Sequence, residues 1–186
     1  MKGVVLVTGI SASGKSTVAQ ALAERLPRSV HVRGDAFRRM VVRGRAEMTP
    51  RAEEAADEAA DEAVRQLHLR YRLAAQTADL YFQAGFTSIV QDVVLGEDLE
   101  RFTTWIRTRP LRVVVLAPDA AAVERRERER AKTGYGAWTI AQLDATLRAG
   151  TPRIGLWLDT SGQTPDETVS EIVARADEAL VSGDRI

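Results

Sequence analysis

Short apolar runs recur along the chain and alternate with longer segments that mix apolar and charged positions. The first run, residues 4–7, is continuous and β-branched, which is typical of a strand buried on both faces. Strands that alternate with helices pair in parallel through right-handed crossovers. The pattern therefore predicts an α/β fold, a three-layer sandwich around a five-stranded, mainly parallel sheet. The four further strands are predicted in SVHVRGD, FTSIVQD, LRVVVLAP and IGLWLDT.

Capping residues mark where helices begin. A first helix is predicted over about residues 15–25, and Thr49-Pro50 starts a long helical stretch that continues to about residue 83. Residues 36–49 are predicted to be irregular, because they are basic and are interrupted by glycine. Two capping boxes, Thr139 with Gln142 and Thr164 with Glu167, start later helices, the last of which is predicted to end near residue 181.

Composition adds limits to this picture. The chain has 186 residues, with 45% hydrophobic and 28% charged residues, so we expect one soluble domain spanning residues 1–186. The 26 basic and 26 acidic side chains balance, which argues against a protein whose main role is binding nucleic acid or a membrane surface. Cysteine is absent from the sequence, so thiol catalysis is excluded. No signal peptide or membrane span is expected, and a cytoplasmic location is predicted.

The segment after the first strand carries the clearest chemistry. Gly9, Gly14, Lys15 and Ser16 fit the pattern G-x-x-x-x-G-K-[ST] between a predicted strand and a predicted helix. Glycines let successive N–H groups point at phosphate oxygens, the lysine reaches the outer phosphates, and the serine hydroxyl is a ligand for Mg²⁺. A glycine-rich turn with an incidental lysine is the alternative. The residues predicted to bind the nucleotide are Gly9, Ser11, Ala12, Ser13, Gly14, Lys15, Ser16 and Thr17.

Two carboxylates follow predicted strands, at the sheet edge where ligands bind in open α/β folds. Asp35 can take the proton from an acceptor hydroxyl, and Arg38 lies one helical turn further on, so both are predicted to contact the acceptor. Alternatively, Asp35 only caps a helix. Asp92 is predicted to support Mg²⁺ or to act as a second acid on the acceptor side; its alternative is a turn residue.

An arginine-rich segment, VERRERERAKTGYGAW, spans about residues 124–138. It is either a solvated helix with ion pairs between successive turns or a lid whose arginines neutralise the transferring phosphate. Arg126 and Arg130 lie on one stripe of this segment and are the predicted catalytic arginines, and its glycines suit a hinge.

Together these features resemble the small P-loop kinases, a group that includes gluconate, shikimate and adenylylsulfate kinases. Chloramphenicol phosphotransferase-like proteins and the kinase domains of polynucleotide kinases are the most similar members. The resemblance implies a P-loop kinase fold with an arginine-rich lid, ATP and Mg²⁺ as cofactors, and Lys15, Asp35, Arg126 and Arg130 as catalytic residues. Asp35-x-x-Arg38 also resembles the acceptor site of polynucleotide kinases, where the arginine holds a phosphate.

The sequence thus predicts an ATP-dependent kinase that phosphorylates a hydroxyl of a small molecule, such as an antibiotic or a metabolite. Acidic pairs repeat every four residues from Glu53 to Glu62, and next to the acceptor they would repel a polyphosphate chain. A small-molecule partner is therefore favoured over nucleic acid, and residues 36–60 are predicted to bind it. A polynucleotide 5′-hydroxyl kinase and a regulatory switch with slow ATP hydrolysis are the alternatives, and the oligomeric state is left open.

Overall fold

A computed structural model describes residues 1–50, 58–129 and 137–181. All five predicted strands are present, pair in parallel and lie in the order β2-β3-β1-β4-β5. The predicted α/β class and parallel sheet are confirmed. The strands are β1 Val4–Gly9, β2 Ser29–Arg33, β3 Thr87–Gln91, β4 Leu111–Leu116 and β5 Leu156–Leu158.

Helices connect the strands, as the alternating pattern predicts. They are α1 Lys15–Glu24, α2 Gly34–Met40, α3 Glu58–Gln83, α4 Asp98–Trp105, α5 Ala120–Arg128, α6 Ile140–Ala145 and α7 Pro165–Ala174. A π-helical turn, Thr146–Gly150, continues α6. None of the helices among the described residues is long and apolar enough to cross a membrane.

Two predictions about helices need correction, and one helix was missed. Residues 36–40 are not irregular but belong to α2, in which Asp35 lies in the first turn and Arg38 and Arg39 in the last, an arrangement that suits the helix dipole. Helix α4 was not predicted, although Leu99 and Phe102 are spaced for one buried face. Helix α7 ends at Ala174, well before residue 181.

The sheet separates two cores because its buried strands alternate their side chains between two faces. Leu6 of β1 packs with Tyr71 of α3 and Phe102 of α4 on one face. Val7 packs with Leu22 of α1 and other apolar side chains on the opposite face. Helices thus cover both faces, which confirms the three predicted layers.

Local capping chemistry is confirmed where it can be observed. The hydroxyls of Thr139 and Thr164 accept hydrogen bonds from the backbone N–H groups of Gln142 and Glu167. The side chains of Gln142 and Glu167 accept in return from the backbone N–H groups of the two threonines, which completes both capping boxes. The helix predicted from Thr49-Pro50 enters residues 51–57, which lie outside the described residues, as do the acidic side chains at 53, 54 and 57.

Candidate active site

A cavity of about 1320 Å³ opens at the carboxyl end of the sheet. It is lined by the loop between β1 and α1, by α2, by residues 41–49, by one face of α3 and by the residues that follow β3. Later residues that line it include Arg126, Trp138 and Thr160. Of the predicted nucleotide-binding residues, the cavity is lined by Ser11, Ala12, Ser13, Gly14, Lys15, Ser16 and Thr17.

The loop from Gly9 to Gly14 has the backbone conformation of an anion-binding nest. Gly9, Ala12 and Gly14 have positive φ values of 141°, 57° and 94°, a conformation that turns successive N–H groups toward one side. A side chain at Gly9 would collide with the carbonyl oxygen of Leu116, so the position requires glycine. Lys15 is 6% exposed and its Nζ donates to the carbonyl oxygen of Ile10 at 2.5 Å.

The groups around this loop suit a triphosphate. Helix α1 begins at Lys15, and no side chain of the described residues caps it, so its first N–H groups face the cavity. The Ser13 hydroxyl is buried and has no hydrogen-bond partner within the described part of the chain. Ser16 donates its hydroxyl to Oε1 of the buried Gln91 at 3.2 Å, which places an oxygen ligand for Mg²⁺ beside the nest.

Asp35 and Arg38 line the same cavity as the phosphate loop. Asp35 is 41% exposed at its side chain, and its Oδ2 accepts from Nη1 of Arg39 at 2.9 Å. The N-cap position of α2 belongs to Arg33, so Asp35 is not the residue that caps this helix. Nη1 of Arg38 lies 2.6 Å from Oε1 of Glu47, and both side chains are about two-fifths exposed. The roles of Asp35 and Arg38 in transfer stay predictions.

Asp92 follows β3, lines the same cavity and is 1% exposed. Its carboxylate forms a bidentate ion pair with Arg70 of α3: Nε donates to Oδ2 at 2.7 Å, and Nη2 contacts Oδ1. The backbone N–H of Val93 donates to Oδ1 at 2.7 Å. A guanidinium thus contacts both oxygens of Asp92 in this structure, and the metal role of Asp92 stays a prediction.

Sequence reasoning did not identify Arg70. Its side chain is 15% exposed, and burial lowers the pKa of its guanidinium from the ordinary value. A signal was present in the sequence, because Arg70 lies three residues from both Leu67 and Leu73 on the face of α3 that lines the cavity. A charged residue in such an apolar register indicates a buried partner.

Arg126 lies between the phosphate loop and the residues after β5. Its Nη2 donates to the carbonyl oxygen of Thr160 at 2.5 Å, and Nη1 donates to that of Ser13 at 3.4 Å. The Thr160 hydroxyl is buried and has no partner among the described residues. Arg126 therefore borders the predicted nucleotide site, whereas Arg130 lies outside the described residues, and the catalytic role of each stays a prediction.

Trp138 connects the end of the arginine-rich segment to the acceptor side. Its Nε1 donates to the carbonyl oxygen of Met48 at 3.1 Å. Met48 belongs to the segment predicted to bind the acceptor, and its neighbour Ala46 is bonded through its N–H to Gln66 of α3. Residues 41–49 are thus attached to two other parts of the cavity wall.

Comparison with known families decides the classification. A family model for an AAA domain matches residues 4–153, which is most of the chain. The chain belongs to this AAA domain family. None of the curated proteins matches the sequence of this chain.

Solved structures share the fold of this AAA domain. A sugar kinase from Janibacter sp. HTCC2649 superimposes with a TM-score of 0.68 at 22% identity, covering 96% of each chain. The tunicamycin resistance protein of Deinococcus radiodurans gives a TM-score of 0.64 at 15% identity, covering 97% of this chain and 99% of its own. The APS kinase of Mycobacterium tuberculosis, in complex with AMPPNP and APS, gives a TM-score of 0.62 at 20% identity, covering 95% of this chain and 98% of its own. These likenesses establish the P-loop kinase fold, and the predicted resemblance to small P-loop kinases is confirmed.

Proposed function

We propose that this AAA domain is a kinase that transfers the γ-phosphate of ATP to a hydroxyl of a small molecule, such as an antibiotic or a metabolite. The observation that carries the proposal is that Asp35 and Arg38 line the same cavity as the phosphate loop; we call the part of the cavity lined by the loop the phosphate half and the part around Asp35 and Arg38 the acceptor half. A protein that only binds or hydrolyses nucleotide needs no such acceptor half.

The phosphate loop would bind the triphosphate through its inward N–H groups, the buried Ser13 hydroxyl and the ammonium of Lys15. Lys15 would leave its bond to Ile10 and contact the outer phosphates, where its charge stabilises the negative charge of the transferring group. The Ser16 hydroxyl would help to hold Mg²⁺, which would supply further charge neutralisation.

Asp35 would accept the proton of the acceptor hydroxyl as its oxygen attacks the γ-phosphorus. One oxygen of its carboxylate is held by Arg39, which orients the side chain, and the exposed side remains accessible from the cavity. Arg38 would contact the acceptor after separating from Glu47, and an exposed pair of this kind separates at a cost of about 1 kcal/mol or less.

Similar proteins support a small acceptor. The structures that share this fold include a sugar kinase and an APS kinase bound to APS, and both names denote small molecules. Among the described acidic residues, Glu47 lies in the acceptor segment and lines the cavity, where it would repel a polyphosphate chain.

A polynucleotide 5′-hydroxyl kinase is the second candidate. The observation that favours it is that Asp35 and Arg38 both line the cavity, as the Asp35-x-x-Arg38 pattern requires. The pairing of Arg38 with Glu47 argues against it, because a carboxylate at this position competes with a nucleic-acid phosphate.

Transfer of label from γ-³²P-ATP tests the proposal. The assay compares hydroxylated antibiotics and metabolites with a 5′-hydroxyl oligonucleotide, using the wild type and Asp35→Asn. Loss of the proposed base lowers transfer by about 10²- to 10⁴-fold. Asp61→Asn is the matched control, because Asp61 also lies in the first turn of a helix and is exposed.

Each outcome separates the candidates. Label on a small molecule, lost in Asp35→Asn and kept in Asp61→Asn, supports the proposal. Label on the oligonucleotide replaces it with the second candidate. Label found only as free phosphate, at one rate in all three proteins and independent of any acceptor, indicates a regulatory switch.

A further inference from the structure

The ion pair between Arg70 and Asp92 has no role in the transfer as proposed. Arg70 lines the cavity beside Asp35 and Arg38, yet it comes from a different helix, α3. Asp35, Arg38 and Glu47 line the same cavity, so the Arg70 guanidinium shares this space with the acceptor-side charges. A buried ion pair stabilises a fold only weakly compared with an apolar pair of similar volume. Its position in the cavity therefore calls for a functional explanation.

The geometry of the pair leaves donors directed away from Asp92. Arg70 uses Nε and Nη2 to bind the two carboxylate oxygens. The N–H groups of Nη1 have no partner within the described residues. Because a guanidinium is planar, Nη1 and the outer N–H of Nη2 form a second edge that can bind another oxyanion in a bidentate manner.

Asp92 holds this arginine in one orientation. Its Oδ1 accepts the Val93 N–H, and Gly34 packs so closely that a side chain there would collide with the carboxylate. An arginine that is already ordered loses little conformational freedom when a ligand binds, so its affinity for that ligand is higher. The pair thus has the structure of a preorganised anion site.

The surrounding wall indicates what kind of molecule enters. Apolar side chains form much of the acceptor half of the cavity, and among the described residues they include Phe37, Val41, Leu67, Leu73, Leu95 and Leu143. A charged group that enters this half loses much of its hydration and requires a directed partner. Arg70 supplies such a partner beside these apolar side chains.

We propose that Arg70, oriented by Asp92, binds an oxyanion of the acceptor, so that the acceptor is a hydroxylated small molecule carrying a carboxylate or a phosphate. This inference rests on the proposed kinase function. It adds a binding residue on α3 to the predicted acceptor segment 36–60, and it assigns Asp92 to orienting an arginine.

The first test measures anion binding without catalysis. The protein is saturated with Mg²⁺ and AMPPNP, which fills the phosphate loop, and the Nε–H signal of Arg70 is followed by NMR during titration with acetate or inorganic phosphate. The signal is assigned by its loss in Arg70→Lys. We expect a saturable shift with at least one of the two anions, and the same shift in Arg72→Gln, which removes an exposed arginine on the same helix. A shift no larger than that caused by sodium chloride at equal ionic strength overturns the proposal.

The second test compares acceptors in the transfer assay. Each hydroxy acid or phosphorylated alcohol is paired with its neutral amide or its unphosphorylated form. We expect transfer to the anionic member of a pair, and in Arg70→Lys a KM about 10- to 100-fold higher with a smaller change in kcat. Preferential transfer to the neutral member overturns the inference about Arg70 and leaves the kinase function intact.

The double variant Arg70→Met with Asp92→Leu controls for loss of folding. It removes both charges together and so leaves no unpaired buried charge. It should keep the circular dichroism spectrum of the wild type and lose discrimination between anionic and neutral acceptors. Unchanged discrimination in this variant contradicts the proposal. Failure of the wild type to bind AMPPNP or to transfer phosphate to any acceptor contradicts the proposed function instead.

Discussion

The two halves of the cavity are built in different ways. The phosphate half comes from one continuous stretch between β1 and α1, and its main binding groups are backbone N–H groups oriented by positive φ values at Gly9, Ala12 and Gly14. The acceptor half is assembled from side chains of α2, of residues 41–49, of α3 and of the residues after β3. Its charged groups are paired with one another, as in Arg38–Glu47 and Arg70–Asp92.

This difference shows where the specificity of the protein resides. A nest of backbone N–H groups recognises phosphate and is hard to alter without changing the loop itself. A set of side chains from separate segments can be altered one residue at a time on an unchanged fold. The phosphate half therefore matches what is shared with the P-loop kinase fold, and under the proposed function the acceptor half determines which molecule is phosphorylated.

The largest effect is expected from breaking the buried pair. Arg70→Met leaves Asp92, which is 1% exposed, without its partner, and we expect a loss of about 3–5 kcal/mol in the free energy of unfolding. Replacing Arg70 by Met and Asp92 by Leu together should restore most of this stability. Urea denaturation followed by circular dichroism measures both, and equal losses in the single and double variants contradict this view of the pair.

The next effect separates the halves by activity. Lys15→Met removes the ammonium that contacts the outer phosphates in the proposed function, and we expect kcat to fall by about 10²- to 10³-fold. Because Lys15 belongs to the phosphate half, the loss should be the same for every acceptor and for acceptor-independent ATP hydrolysis. Steady-state kinetics with two acceptors and with none provide the comparison. A loss restricted to one acceptor would contradict the assignment of Lys15 to the phosphate half.

The phosphate half could be predicted from the sequence because its determinants are contiguous. A buried strand, spaced glycines, a lysine and a helix start follow one another within residues 4–24, so local rules suffice. The strands were predicted for the same reason. Asp35 and Arg38 were also placed on the acceptor side, since both lie just beyond a strand end and within one short helix.

Arg70 could not be predicted in the same way. Its partner Asp92 is 22 residues away on another element, and only the packing of α3 against the sheet brings the two together. Asp92 was recognised as a strand-end carboxylate, but its sequence position does not reveal whether a metal ion or a guanidinium faces it. Helix α4 was missed because it is only eight residues long, so that Leu99 and Phe102 give only a short periodic signal.

An intermediate effect is expected at the contact between α2 and Asp92. A methyl group at Gly34 would collide with the Asp92 carboxylate, so Gly34→Ala should cost about 1–3 kcal/mol of stability and displace the Arg70 pair. Binding of AMPPNP, measured by calorimetry, should be unchanged, because the atoms nearest to such a methyl group belong to the Asp92 side chain and not to the phosphate half. Gly162→Ala is the matched control, since a side chain there meets no atom within 4 Å. Weaker AMPPNP binding in Gly34→Ala would show that the halves are coupled.

The smallest effect is expected from the exposed pair of the acceptor half. Arg38 and Glu47 are 40% and 42% exposed at their side chains, so a double-mutant cycle with Arg38→Met and Glu47→Gln should give a coupling energy of about 0.2–1 kcal/mol. Raising the ionic strength should reduce it further, because exposed charges are screened. Thermal or urea unfolding of the four proteins supplies the cycle. A coupling above about 2 kcal/mol would mean that this pair is as firmly structural as a buried one, and Arg38 could then not be released toward an acceptor at the low cost that the proposed function requires.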